Sequence, residues 1–183
     1  MAFDESMRFG AAALLIKLYG GETLTELAVD QSEDGCEFKY ASNSKEVKSA
    51  QHTGVYKRLL SGESASITIG ILEHSMDAIA HAFAHPTTDV VDDSQSTPKK
   101  KSLEFGGPRD LTEYTVQVKS PQPGSASLFD KITLYRCTAK ADFSQAYKVG
   151  EERVIPVTFE ALADIAGIEG TAGTLGEIIS EYA

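Results

Sequence analysis

Tryptophan is absent from this 183-residue chain. Carbohydrate platforms favour exposed Trp and Tyr, and the seven tyrosines here are scattered among apparent strands, which weakens that class of function. Cysteine is nearly absent as well. Cys36 and Cys137 are too few for a disulfide framework, and their spacing matches no zinc motif. Two free thiols and a reducing compartment of folding are expected. Bases are outnumbered, with 17 Lys and Arg against 27 Asp and Glu, a formal net charge of −10 and a pI near 4.8. A nucleic-acid grip needs a basic patch that displaces counterions from phosphate. The basic cluster Lys99, Lys100 and Lys101 follows the acidic "DVVDD" in a Ser/Thr/Pro loop, so the two runs largely cancel. No run of eighteen apolar residues exists, so no membrane span is expected. The start, "MAFDESMRFG", has acids ahead of its apolar stretch and no basic n-region, so no signal peptide is expected either.

Catalytic signatures are missing too. There is no GxSxG elbow, phosphate-cradling glycine loop or dinucleotide fingerprint. His74, His81 and His85 have spacings that place them on one helix face, with Glu73 or Asp77 as an added ligand for zinc. However, "HAFAH" lacks the acid of an HExxH site and no third ligand of defined spacing follows, so a solvated helix face is expected. "DVVDDSQ" (89–95) lacks the alternating ligands and central glycine of a calcium loop. Cys137 beside Arg136 invites an activated thiol, against the ordinary reading of a buried small hydrophobe. No catalytic, cofactor-binding or metal residue is therefore assigned, and no enzyme is expected.

What the chain does contain is strand pattern. "AAALLIKLY" (11–19), "LTELAVDQ" (24–31) and "CEFKYA" (36–41) read as strands, whereas the polar, aperiodic 42–52 reads as an exposed loop. Residues 55–60 and 66–72 read as a hairpin turning at "SGES". Residues 75–84 change period: Ser75 is an N-cap, Asp77 suits the first turn, Pro86 ends the segment, and Met76, Ile79, Ala80 and Phe83 share a face. A long polar loop over 86–102 precedes "SLEFG", "EYTVQVK", "KITLYRCTAKA" and a hairpin of "AYKV" with "ERVIPVTF". The glycine-broken end, 168–183, reads as a tail docked on a partner. The class is mainly β, a sandwich or barrel in one domain with one flanking helix and long loops. Pro156 interrupts an alternating strand, and two places tolerate it: an edge strand at a subunit boundary, or a bulge.

The order of elements around "LLSGESASITIGILEHSMDAIAHAFA" resembles the tail tube (major tail) protein family of tailed bacteriophages. In that family a strand ending in Glu runs into a short helix packed on the barrel, as Glu73 does before 75–84. The close "LYRCTAKADFSQAYKVGEERVIPVTFEALAD" is similar to the family's late strands, with Phe159 to Leu162 as the Phe-Glu-Ala-Leu type segment. The resemblance covers about residues 10 to 170. It implies a virion protein made in the host cytoplasm, whose hexameric rings stack into a tube, inner sheets joined edge to edge. It also implies that loops 42–52 and 86–102 meet neighbouring subunits and rings. Partners would be copies of itself, with sheath, terminator, baseplate or tape-measure proteins, and genome DNA would pass without specific binding. Excess acid suits such a conduit, because like charge in a confined channel repels phosphate. Two alternatives stand beside this: a tail terminator or baseplate ring protein of the same fold, and a β-sandwich that presents loops to a ligand.

Overall fold

The computed structural model describes residues 13–27, 31–48, 55–71, 75–122, 125, 127–141 and 155–182. Ten strands and one helix follow in chain order. They are β1 (Ala13–Leu18), β2 (Thr25–Glu26), β3 (Gln31–Lys48), β4 (Val55–Ile71), α1 (Met76–Ala82), β5 (Val91–Asp93), β6 (Lys100–Ser102), β7 (Glu113–Pro121), β8 (Phe129–Ala141), β9 (Ile155–Leu162) and β10 (Gly176–Ser180). Eight of these form one antiparallel sheet in the order β2-β1-β7-β8-β9-β4-β3, with β10 added to β8, while β5 and β6 pair apart. The class is mainly β with one helix. Among the described residues the sheet is open, since β2 and β3 at its two edges are not hydrogen-bonded to each other. Four residues, 27–30, separate them in sequence, which keeps Glu26 and Gln31 within about 18 Å of each other.

Alternation puts one face of the sheet inside. Leu14 and Ile16, Tyr114, Val116 and Val118, and Ile155, Val157 and Phe159 join Ile67 and Ile69 in a single core cluster. One sheet can enclose one cluster only by curling, and α1 closes the remaining side. Ser75 caps the helix, its hydroxyl accepting from the Ala78 amide at 3.1 Å, as the sequence implies. The buried helical positions are Ala78, Ala80 and Ala82, not the expected Met76 and Phe83. Alanine lets the backbone of a short helix lie close against a sheet that is already filled with larger side chains.

Several expectations are corrected. Residues 42–48 are strand, not loop, and "SGES" lies inside β4 and does not turn the chain, so 55–60 and 66–71 are one strand paired with β3. Burial alternates from Ala65 to Gly70 and ceases toward Val55, yet the ladder to β3 continues. Hydrophobic period reports a core face, and an arm that leaves the core has none. The 86–102 loop folds on itself, with Asp92 facing Lys101 and Asp93 facing Lys100 across β5 and β6, so its opposite charges pair locally. "SLEFG" contributes only Ser102 to a strand. The tail at 168–183 is docked on the chain's own β8 through β10. Glu73, His74 and "AYKV" lie outside the described residues.

Pro156 is neither on an edge nor in a bulge. It stands opposite Gly70 of β4, one residue beyond the last β9–β8 pair, Val157 with Ala141. Near the start of a strand, past the last described pair of one ladder, a missing N–H is tolerated.

One feature had no sequence signal. β9 and β10 lie on the same side of β8, with Leu162 opposite Arg136 and Gly176 opposite Leu134. Residues 163–175 thus leave and re-enter what would be one strand, against Tyr135 alone. Asp164 ties the base: its amide donates to Thr174 O at 3.0 Å and its carbonyl accepts from Gly173 N at 2.8 Å. Its buried carboxylate accepts from the amides of Ile168, Glu169 and Gly170 and from the Tyr19 hydroxyl. Lys17 binds Glu169 at 2.7 Å, and Arg136 pairs with Glu113 while facing the Tyr19 ring. Two glycines are required by close approach: a Cβ at Gly170 would meet the Tyr135 ring at 2.2 Å, and one at Gly176 would meet Thr133 O at 2.1 Å.

The Tyr19 hydroxyl, followed by the backbone amides, holds the Asp164 carboxyl down at about 2, below its ordinary 3.8. Its stabilisation is therefore complete above that ordinary value and is lost as pH falls through about 2. Melting temperature should fall between about pH 4 and 2. Asp164→Asn should be less stable at pH 7 and show a flatter decline across that window. An unchanged acid profile in the variant would remove Asp164 as the cause.

Candidate assembly surface

Where β9 ends, β4 loses its second neighbour. Ser66 is the last β4 residue paired with β9, so among the described residues β4 from 55 to 65 has only β3 beside it. Among the described residues β10 likewise pairs only with β8. These two free edges face each other across a groove of about 400 Å³. Phe38, Tyr40 and Ala65 line it on the arm side, and Leu175 and Ile178 on the other, over a floor of Ile132 and Leu134. The excursion at 163–175 creates this opening, because it removes the strand that would otherwise fill the space between β8 and the arm.

Beyond the groove the β3–β4 hairpin projects as a two-stranded arm. Its ladder is irregular at Asn43/Ser44 and Val47/Lys48. Arg58 pairs with Glu46 at 3.1 Å, and the Tyr40 hydroxyl donates to Glu63. Val47, Val55, Leu59 and Leu60 are exposed along it, Leu60 at 62%. Ile178, on β10 opposite, is 69% exposed. An isolated hairpin is marginal in water, and a free edge beside apolar side chains is a template for pairing with another chain. Among the described residues neither edge carries a proline or is covered by a further strand.

The residues that invited chemistry lie elsewhere and do not converge. His81 is on α1, its Nδ1 buried and its ring edge-on to Tyr114, and burial lowers its pKa against the opposing effect of Asp77. His85 follows the helix, where Nδ1 lies 2.8 Å from Asp89 Oδ2 and 3.2 Å from Arg109 Nη1. The Tyr114 hydroxyl donates to the His85 carbonyl at 2.7 Å, and Arg109 to that of Phe83 at 3.0 Å. This arrangement pins 83–112 to β7. Among the described residues no three of His, Cys, Asp and Glu gather as a metal set. Asp92 and Asp93 of the acidic run are paired with lysines. Cys137 is fully buried and donates to Tyr114 O, and burial pushes its pKa up, the reverse of thiol activation.

No family model matches the chain, and none of the curated proteins is similar to it. Sequence reasoning missed both edges of the groove. The available signal was the hydrogen-bonding potential of 42–48 opposite 55–60, hidden because neither segment alternates.

Both cysteines are free. Burial raises the Cys36 pKa to about 11, and Cys137 has no exposed surface. Alkylation of native protein at pH 8 should be slow at Cys36 and undetectable at Cys137. Denaturation without reductant should label both. Fast native labelling of Cys137 would contradict its place in the core.

Proposed function

We propose that the chain is a structural subunit that associates with copies of itself into stacked rings, forming the tube of a phage tail. The observation that carries this reading is the pair of unpaired strand edges, β10 and the outer half of β4, facing an apolar groove. Edge-to-edge pairing between subunits would complete both ladders and cover Ile178 and Leu60, and a repeated heterologous contact of this kind closes into rings. The resemblance of residues 10–170 to tail tube proteins supports the same reading. On it the protein acts in the virion tail and catalyses nothing. Genome DNA passes through a lumen that does not hold it, and other tail proteins cap or surround the tube.

Light scattering and negative-stain microscopy of the purified chain test the reading. Tubes are expected at micromolar concentration. Rings that never stack would favour the terminator or baseplate alternative, and a monomer of 19.7 kDa at every concentration would leave the ligand-binding module. Ile178→Lys should suppress association while changing monomer stability by no more than about 0.5 kcal/mol, as expected at an exposed position. Association of that variant at wild-type concentrations would show that the β10 edge is not used.

A further inference from the structure

α1 is held to the fold by little apolar surface. Its seven residues bury Ala78, Ala80 and Ala82, while Met76 and Ile79 are only half-buried. A helix of this length does not persist in water by itself, so it exists only while it is docked. The chain just beyond it is fastened differently. The Tyr114 hydroxyl donates to His85 O, and Arg109 donates to Phe83 O. Both bonds hold backbone carbonyls and do not depend on the side chains of the helix.

His81 is where the helix meets both the core and a cleft. Its ring stands edge-on to Tyr114, with 5.4 Å between centroids and 78° between planes. It also lines a cleft of about 640 Å³ between α1 and the β1–β2 turn, together with Lys17 and Asp77. Its Nδ1 is buried and has no hydrogen-bond partner among the described residues. A neutral ring tolerates this by carrying its hydrogen on Nε2 and leaving Nδ1 bare. An imidazolium carries hydrogen on both nitrogens, so Nδ1–H would be buried without an acceptor. The ionisable groups around the ring do not supply one. On β7 the Tyr114 hydroxyl is committed to His85 O, and on β8 Cys137 donates to Tyr114 O. On β1 Lys17 is itself a cation, held by Glu169 and by Gly21 O. After the helix, His85 lies against Asp89 and Arg109. Burial lowers the His81 pKa and outweighs the exposed Asp77, one turn earlier, which favours the charged ring. The last-turn position of His81 also favours the charge, without reversing that direction.

We infer that protonation of His81 releases α1 from the core and opens the cleft beside it. The charged ring leaves its place beside Tyr114 to reach water, and the alanines alone do not hold the helix. Release stops at residues 83–85, whose carbonyls Tyr114 and Arg109 keep in place. A freed ring takes up its proton at the ordinary value of 6.5, and the docked ring only at lower pH. Docking is therefore complete above about 6.5 and is lost as pH falls from there through the docked value. This window opens well above that of Asp164, and the inference does not depend on how copies associate.

Hydrogen exchange and ring titration on the full chain test it. Between about pH 7 and 5, the amides of 76–82 should lose protection after correction for intrinsic exchange, while those of β7 keep theirs. The His81 ring, followed by NMR, should titrate below 6.5. Melting temperature should fall by a few degrees over the same range. His81→Gln should remove that fall yet keep the decline between about pH 4 and 2 that belongs to Asp164. Asp77→Asn should steepen it, because the docked ring then loses its one favourable side-chain charge. A ring that titrates at 6.5 or higher would overturn the trigger, as would α1 protection unchanged down to about pH 5. A His81→Gln chain with the full wild-type fall would assign the loss to another group and overturn it too.

Discussion

The buried carboxylate of Asp164 sets the shape of the surface on which the functional reading depends. Three backbone amides and the Tyr19 hydroxyl converge on it, so an acid that would be costly to bury alone is fully satisfied. The turn it organises takes the chain out of the sheet after Leu162 and returns it at Gly176. Without that detour, a continuous strand would run beside β8 and cover the inner edge of the arm. With it, among the described residues, β10 has β8 on one side only, and β4 keeps its ladder to β3 after losing its other neighbour. A local polar knot therefore determines where the sheet is left open.

The bulge in β8 belongs to the same arrangement. Tyr135 and Arg136 stand together against Thr115 of β7, and the Thr115 hydroxyl donates to Tyr135 O at 2.8 Å. Tyr135 then packs against Gly170 of the excursion, while Arg136 reaches Glu113 and faces Tyr19. Extra residues on both sides of one strand level are accommodated by a single cluster of side chains from β1, β7, β8 and the excursion. The arm, the groove and the β10 edge all lie beyond this level, and the alternating core of Ile67, Ile69, Val157 and Phe159 lies before it.

Legibility in the sequence followed burial. β1, β7, β8 and β9 could be read because one face of each is inside, and the period of two survives in Tyr114, Val116 and Val118. The helix could be read from Ser75 and Asp77, although its buried side proved to be alanine, which carries little hydrophobic signal. Of the arm, 55–60 could be read as strand, but 42–48 could not, because both faces meet solvent and that segment is polar without period. Nor could the Asp164 knot, since a lone Asp in "EALADIAG" differs in nothing from a surface acid until Tyr19 is brought to it from the other end of the chain. The charges of 86–102 were visible as opposed runs, but their cross-strand pairing needed the turn between them. The groove needed two strand ends far apart in sequence and left no local trace.

The central claim is that the two open edges are completed by other copies of the chain. Amide hydrogen exchange on the monomer and on the assembled protein tests it most directly. In the monomer, 55–65 and 176–180 should retain rapidly exchanging amides, those on the outer side of each ladder. On assembly these same segments should become protected, while β7 and the core half of β9 stay unchanged. Association with no added protection at either edge would contradict the account.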